Sequence, residues 1–164
     1  MQKLEFIESR IFTSWDKLSY MLAYWRFHEQ KIVFTNGCFD LLHQGHIDYL
    51  TNAAEKGDVL IVGLNTDASI TRLKGKGRPV LDERSRALIL ASLRFIDAVV
   101  LFDQDTPYDL IKLIQPDVLV KGSDYSPETI VGYDVVKEYG GEVITVDYLD
   151  GYSTSEIIDK IREM

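Results

Sequence analysis

Residues 32–46 read Ile32-Val33-Phe34-Thr35-Asn36-Gly37-Cys38-Phe39-Asp40-Leu41-Leu42-His43-Gln44-Gly45-His46. An apolar run drives into Asn36-Gly37, and a few residues later two histidines bracket Gln44-Gly45 just before an apolar-periodic segment. The pattern reads as a strand ending in a glycine turn, then a helix opening on an H-x-G-H tetrad. Turn amides, a helix N-terminus and two imidazoles then gather around one point, which suits an anionic phosphate group. Two other readings compete. Zinc could be held by both histidines with Cys38 and His28, but no C-x-x-C or H-E-x-x-H spacing supports it, and a lone cysteine cannot anchor a structural site. No metal site is therefore assigned to the chain itself. A pair of satisfied core histidines is the blander alternative, which the polar Gln44 and Gly45 fit poorly.

Outward from this stretch the chain alternates strand and helix. Gly45 to Glu55 reads as a helix with Ile47, Leu50 and Ala54 on one face. Val59 to Leu64 is a continuous apolar run of the kind found in buried parallel strands. Asn65-Thr66-Asp67 caps a short helix, and Lys74-Gly75-Lys76-Gly77-Arg78-Pro79 reads as a mobile loop. Asp82 caps the next helix. Strands follow at Ala98–Phe102, Val118–Val120 and Val143–Val146, with helices at Thr106–Ile114, Ile130–Tyr139 and Thr154–Arg162. Repeated βα units predict an α/β fold: a Rossmann-like three-layer sandwich around a five-stranded parallel sheet. The polar strand ends at Asn36-Gly37, Asn65-Thr66-Asp67 and Lys121-Gly122-Ser123-Asp124 would share one edge, where ligands of such sheets bind. Residues 1–30 are expected to form an N-terminal helical extension to a domain spanning 31–164. In it Ser14 caps a helix whose Trp15, Leu18, Leu22 and Trp25 recur at helical spacing as a packing face, against either the domain or a second subunit.

The 164 residues suffice for one domain with a sizeable core. A single cysteine excludes an internal disulfide, favouring a reducing, cytoplasmic setting. Residues 1–5 lack a signal-peptide layout, and no apolar run reaches membrane-spanning length. A net charge of −8 argues against a general nucleic-acid surface. A small anionic ligand needs only a few cations, and Lys74, Lys76, Arg78, Arg84 and Arg86 lie close in sequence. A solvated basic loop is the plainer reading of that cluster.

From Lys31 to Ile161 the sequence resembles the D-glycero-β-D-manno-heptose 1-phosphate adenylyltransferases, the adenylyltransferase half of ADP-heptose synthesis within the HIGH-motif nucleotidyltransferases. The resemblance rests on T-N-G-C-F-D-L-L-H-Q-G-H at 35–46, L-N-T-D-A-S at 64–69, R-L-K-G-K-G-R-P-V at 72–80, L-V-K-G-S-D-Y at 119–125 and D-G-Y-S-T-S-E-I-I at 150–158. Glycerol 3-phosphate cytidylyltransferases share the histidine tetrad but typically carry R-T-E-G-I-S-T-T near the end. Here Tyr148 stands at the arginine and Ser155 at the final threonine.

The resemblance implies transfer of AMP from ATP to a heptose 1-phosphate with release of pyrophosphate. A cytidylyltransferase for a small alcohol phosphate and a non-catalytic nucleotide-binding module are the alternatives. It further implies that His43, His46 and Lys74 carry the chemistry. Asn36, Gly37, Phe39, Gly45, Arg86, Gly122, Asp124, Ser153 and Thr154 would bind ATP and its phosphates, although an ordinary helix N-cap is the plainer role for Ser153 and Thr154. Asp40, Asn65, Asp67 and Arg78 are candidate substrate contacts. Mg²⁺ is expected with ATP rather than in a cage of its own. ATP and a sugar phosphate are the expected partners, with no nucleic acid or membrane. A homodimer is expected, as is a separate heptose kinase, since these residues leave no room for one.

Overall fold

The structure is a computed structural model that describes residues 2–124 and 126–164, so Tyr125 of the K-G-S-D-Y block lies outside the described residues. Its elements are α1 (Lys3–Glu8), β1 (Ile11–Phe12), α2 (Trp15–Phe27), β2 (Ile32–Gly37), α3 (Gln44–Ala54), β3 (Val59–Asn65), α4 (Asp67–Lys74), α5 (Glu83–Ala91), β4 (Ala98–Phe102), α6 (Tyr108–Ile114), β5 (Val118–Gly122), α7 (Tyr133–Glu138), β6 (Glu142–Val146) and α8 (Thr154–Arg162). Several helix starts follow from side chains that satisfy the first free amides. Thr66 accepts from the Ser69 amide, Asp82 from that of Ser85, and Ser153 from that of Glu156.

All strands are parallel, in the order β1-β4-β3-β2-β5-β6. The sequence predicts five strands and a purely helical N-terminal extension; the sheet has six. The additional strand is Ile11–Phe12, which pairs with Val99 and Val100 at the sheet edge. Two residues are too few to show a period-two pattern, so this strand exists only through its partner. The helix read over 130–139 is shorter, confined to α7, and a 3₁₀ turn at Pro127–Thr129 precedes it.

Alternation along the strands sends side chains to two cores. Ile32, Phe34, Val59, Ile61, Val100 and Leu119 face α2, α6 and α7, where they meet Leu18, Leu22, Trp25, Leu110 and Ile114. Val33, Leu60, Val62, Val99 and Val120 face α3 and α5, meeting Leu50, Ala53, Ala87 and Leu90. The α2 stripe therefore packs against this same chain, with Leu18 fully buried and Trp25 nearly so. Chain order reverses direction between β2 and β5. Their carboxyl ends, at Asn36-Gly37 and Lys121-Gly122, open a crevice at that switch point.

Candidate active site

The crevice holds a cavity of about 680 Å³. Its floor is the turn from β2 into α3, where the backbone is bent sharply. Phe39 and Leu41, neither a glycine, adopt φ of 45° and 50°. Such left-handed residues cost free energy and persist where the surroundings hold them. Buried Arg86 does much of that holding. Its Nη1 donates to the carbonyls of Cys38 (2.8 Å) and Asn65 (2.9 Å), its Nε to that of Leu81 (3.0 Å), and its Nη2 to the Asp67 carboxylate (2.6 Å). Asp40, 1% exposed, accepts from the amides of Val80 and Leu81 and from Arg78 Nε at 3.2 Å. Its backbone carbonyl accepts from the Thr154 hydroxyl at 2.8 Å. One carboxylate thus joins the floor to the 78–81 loop, and its own carbonyl joins the floor to α8.

His43 occupies the N-cap of α3 and His46 its first turn. The rings stack, with centroids 3.9 Å apart and planes 22° from parallel. Both Nδ1 atoms are buried with no hydrogen-bond partner among the described residues. Burial lowers the pKa of each. His46 falls to about 4, helped by His43 and Lys74 and opposed by Asp40, while Glu156 partly offsets the effect at His43. Both imidazoles are therefore neutral at neutral pH, each with one N–H to donate and one lone pair. A Cβ on Gly45 would lie 3.0 Å from Tyr152 Cβ and 3.2 Å from the His43 ring, so glycine lets the tetrad and the segment before α8 approach without displacing either. The N-termini of α3 and α8 both border the cavity and add positive potential to it.

Of the residues singled out in the sequence, Asn36, Gly37, Phe39, Asp40, His43, Gly45, His46, Lys74, Arg78, Gly122, Asp124, Ser153 and Thr154 line this cavity. Asn65, Asp67 and Arg86 do not. They lie beneath the floor in the network just described, with the Asn65 amide donating to the Ser69 hydroxyl. The basic cluster also divides. Lys74 and Arg78 face the cavity, Arg86 is buried, and Arg84 reaches Glu8 at 3.4 Å beside a separate small apolar cleft. Ser153 serves as the N-cap of α8, and the Thr154 hydroxyl donates to the Asp40 carbonyl.

Lining residues that the sequence reading did not single out include Lys121, Tyr49 and Tyr152. Lys121 is the next-to-last residue of β5 and donates to the Asn36 side-chain oxygen; burial pulls its pKa to about 8, against the opposing pull of Asp124 and Cys38. A lysine directly before a strand-end glycine was the available signal. Tyr49 shares a 2.7 Å hydrogen bond with the Thr35 hydroxyl and donates to the Val120 carbonyl. Burial pushes its phenol above the ordinary range. Tyr152 stacks beside His43 at 6.4 Å.

A parallel sheet with a switch-point crevice, paired helix N-termini and an H-x-G-H tetrad defines a Rossmann-like nucleotidyltransferase fold. A cytidylyltransferase-like family model matches residues 34–160, and the chain belongs to that family. It is 62% identical over 132 residues to the bifunctional protein HldE of Geobacter metallireducens, covering 80% of this chain and 27% of that protein. It is 53% identical over 153 residues to the HldE of Nitrobacter hamburgensis, covering 93% and 31%. The chain thus spans less than a third of the length of these relatives. Among solved structures, a lipopolysaccharide core biosynthesis protein from Thermoplasma volcanium superposes with a TM-score of 0.59 at 28% identity, covering 76% of this chain and 99% of that one. A pantoate-β-alanine ligase from Francisella tularensis, solved with β-γ ATP and β-alanine, gives 0.62 at 18% identity, covering 94% and 78%; this likeness concerns the fold alone. Among the described residues no helix is long and apolar enough to cross a membrane.

Proposed function

We propose that the chain is a nucleotidyltransferase that moves AMP from ATP onto D-glycero-β-D-manno-heptose 1-phosphate, giving ADP-heptose and pyrophosphate. The observation that carries this reading is the stacked His43–His46 pair lining a switch-point cavity, together with Lys74 and two helix N-termini. The motifs shared with heptose adenylyltransferases and the similarity to the HldE proteins support the acceptor.

The attacking group is an oxygen of the sugar phosphate, whose second pKa is about 6, so it is ionised at neutral pH without an enzymic base. Attack on the α-phosphorus forms one P–O bond as the bond to pyrophosphate breaks. What the protein supplies is alignment and stabilisation of charge on the transferring group. In this reading the His43 and His46 N–H groups donate to α-phosphate and pyrophosphate oxygens, and the floor amides near Gly37 and Phe39 cradle the α-phosphate. Lys74 and Arg78 place positive charge between two anions that repel each other. Ser153 and Thr154 offer their amides at the start of α8, while Gly122 and Asp124 border the nucleoside. Arg86, Asn65 and Asp67 act from below, by holding the floor.

The described residues contain no group of three or more His, Cys, Asp or Glu able to hold an ion, and Asp40 is committed to the 78–81 loop. We therefore treat Mg²⁺ as part of the metal–ATP substrate, where it neutralises phosphate charge. Residues 31–164 carry the chemistry in this account, and residues 1–30 complete the fold. A cytoplasmic setting, a homodimer and a kinase activity that supplies the heptose 1-phosphate belong to the same reading. Pyrophosphate release, measured over a grid of ATP and CTP with heptose 1-phosphate and glycerol 3-phosphate, tests it. The expected result is a single productive pair, ATP with the heptose. Efficient turnover of CTP with glycerol 3-phosphate would replace this reading with the cytidylyltransferase one.

A further inference from the structure

Side chains along β2 and β5 point alternately to the two faces of the sheet. Phe34 and Leu119 are paired neighbours and lie in the core against α2, α6 and α7. Two residues further along each strand, Asn36 and Lys121 belong to that same face at the carboxyl edge. There the Lys121 ammonium donates to the Asn36 side-chain oxygen. His43 and His46 come from the other face. They open α3, whose Tyr49, Leu50 and Ala53 pack in the second core. The His46 ring also meets Phe39 of that core, with centroids 5.5 Å apart. The cavity is thus lined from both faces of the sheet.

The cations of the cavity are not equivalent. Arg78 is paired with buried Asp40. Lys74 belongs to the histidine side, where its charge helps to lower the His46 pKa. Lys121 is partly buried and forms no ion pair among the described residues. Asp124 and Cys38 favour its charged form without a hydrogen bond to it. An ammonium has three N–H groups, so donors remain beyond the one spent on Asn36. Withdrawing such a charge from water is costly unless an anion meets it.

We propose that Lys121 binds the phosphate of the acceptor. In-line displacement places the attacking oxygen and the departing pyrophosphate on opposite sides of the α-phosphorus. With pyrophosphate on the histidine side, the sugar phosphate attacks from the Lys121 side. One of its oxygens forms the new P–O bond while the others meet the ammonium, which Asn36 holds in place before the acceptor enters. This deepens the adenylyltransferase reading and rests on it for the direction of transfer. The contact itself is with a phosphate monoester, whichever alcohol carries it.

The test compares wild type with Lys121→Met, which keeps bulk and removes the charge, and Lys121→Gln, which also keeps a donor for Asn36. Each is checked for an unchanged thermal unfolding midpoint, and either one suffices if the other fails to fold. Calorimetry measures the Kd of an ATP analogue whose α–β bridge is carbon and cannot react. It then measures the Kd of heptose 1-phosphate with that analogue bound. Loss of a charge-assisted hydrogen bond predicts acceptor binding weakened roughly ten- to hundredfold, a matching rise in KM for the acceptor, and unchanged binding of the ATP analogue. Unchanged acceptor binding would overturn the proposal. So would equal weakening of both ligands, which would leave Lys121 a strut between two strand ends. If wild type turns over CTP with glycerol 3-phosphate but not ATP with the heptose, the adenylyl reading fails by itself. Lys121 is then judged by the Kd of glycerol 3-phosphate in the same variants, with the corresponding CTP analogue bound.

Discussion

Two segments face each other across the cavity and are built in opposite ways. Residues 36–46 are wired into the core: Arg86 fixes the Cys38 carbonyl, Asp40 is buried, and Phe39 and Leu41 are held in left-handed conformations. Residues 147–156 lie on the surface, Tyr148 and Tyr152 are both well exposed, and α8 buries no residue completely. Their main tie to the floor is the Thr154 hydroxyl on the Asp40 carbonyl. Donors that must meet a transferring phosphoryl group in fixed geometry belong on the rigid side. Groups that admit and release the nucleotide belong on the loose one. Changes to the floor should therefore cost stability or rate, and changes to the opposite strap should cost affinity.

The largest effect is expected in the core shared with α2. Deleting residues 1–28 removes β1 and the Leu18, Leu22 and Trp25 face from the shared core. The truncated chain should then lose its cooperative unfolding transition in circular dichroism. A truncation that melts at the wild-type temperature would show that residues 1–30 are an accessory and that the sheet is sustained by one core face. Arg86→Ala comes next. It leaves three carbonyls and the part-exposed Asp67 carboxylate without their shared donor, and stranding a buried acceptor costs about 1–3 kcal/mol, measurable by urea unfolding. A change below about 1 kcal/mol, with turnover lost, would return Arg86 to direct phosphate binding.

His46→Ala separates rate from stability on that same rigid side. Loss of one preorganised donor lowers kcat on the order of 10²–10³-fold, with the unfolding midpoint little changed. Near-wild-type turnover would make the histidines structural. Lys74, at the end of α4 and outside both segments, should affect both binding and rate: Lys74→Ala raises KM for the sugar phosphate and lowers kcat, together roughly tenfold or more in kcat/KM, as for a lost charge-assisted hydrogen bond. An unchanged enzyme would leave the 74–78 loop a solvated basic turn. A further effect is a pH dependence, absent at neutral pH. The His46 pKa is about 4 in the folded chain against 6.5 for a free imidazole, so between those values the unfolded chain binds the extra proton. Its contribution to stability is complete above about pH 6.5 and is lost as pH falls toward 4. His46→Gln should flatten that part of the stability–pH curve relative to wild type, and parallel curves would contradict the assigned burial.

The sheet was largely legible because parallel strands buried on both faces read as continuous apolar runs. Ala98–Phe102 and Thr154–Arg162 were located in sequence at the residues where they occur. Ile11–Phe12 was not, since two residues carry no period. The H-x-G-H turn was legible because glycine, helix start and histidines adjoin in sequence. The basic cluster misled for the opposite reason: adjacency along the chain does not reveal which way each side chain points. α5 turns Arg86 into the core and Arg84 toward Glu8. Lys121, Tyr49 and Tyr148 meet only in the folded chain, and nothing local marks them as neighbours.

The central claim is that these residues join an adenylyl group to a sugar phosphate. Phosphorus-31 NMR of the chain incubated with ATP, Mg²⁺ and D-glycero-β-D-manno-heptose 1-phosphate tests it most directly. The account predicts that the sugar monoester resonance is replaced by a pair of coupled diphosphate-diester signals, with one equivalent of free pyrophosphate. Monoester that persists while ATP is unchanged, or ATP that decays to ADP and inorganic phosphate, would contradict it.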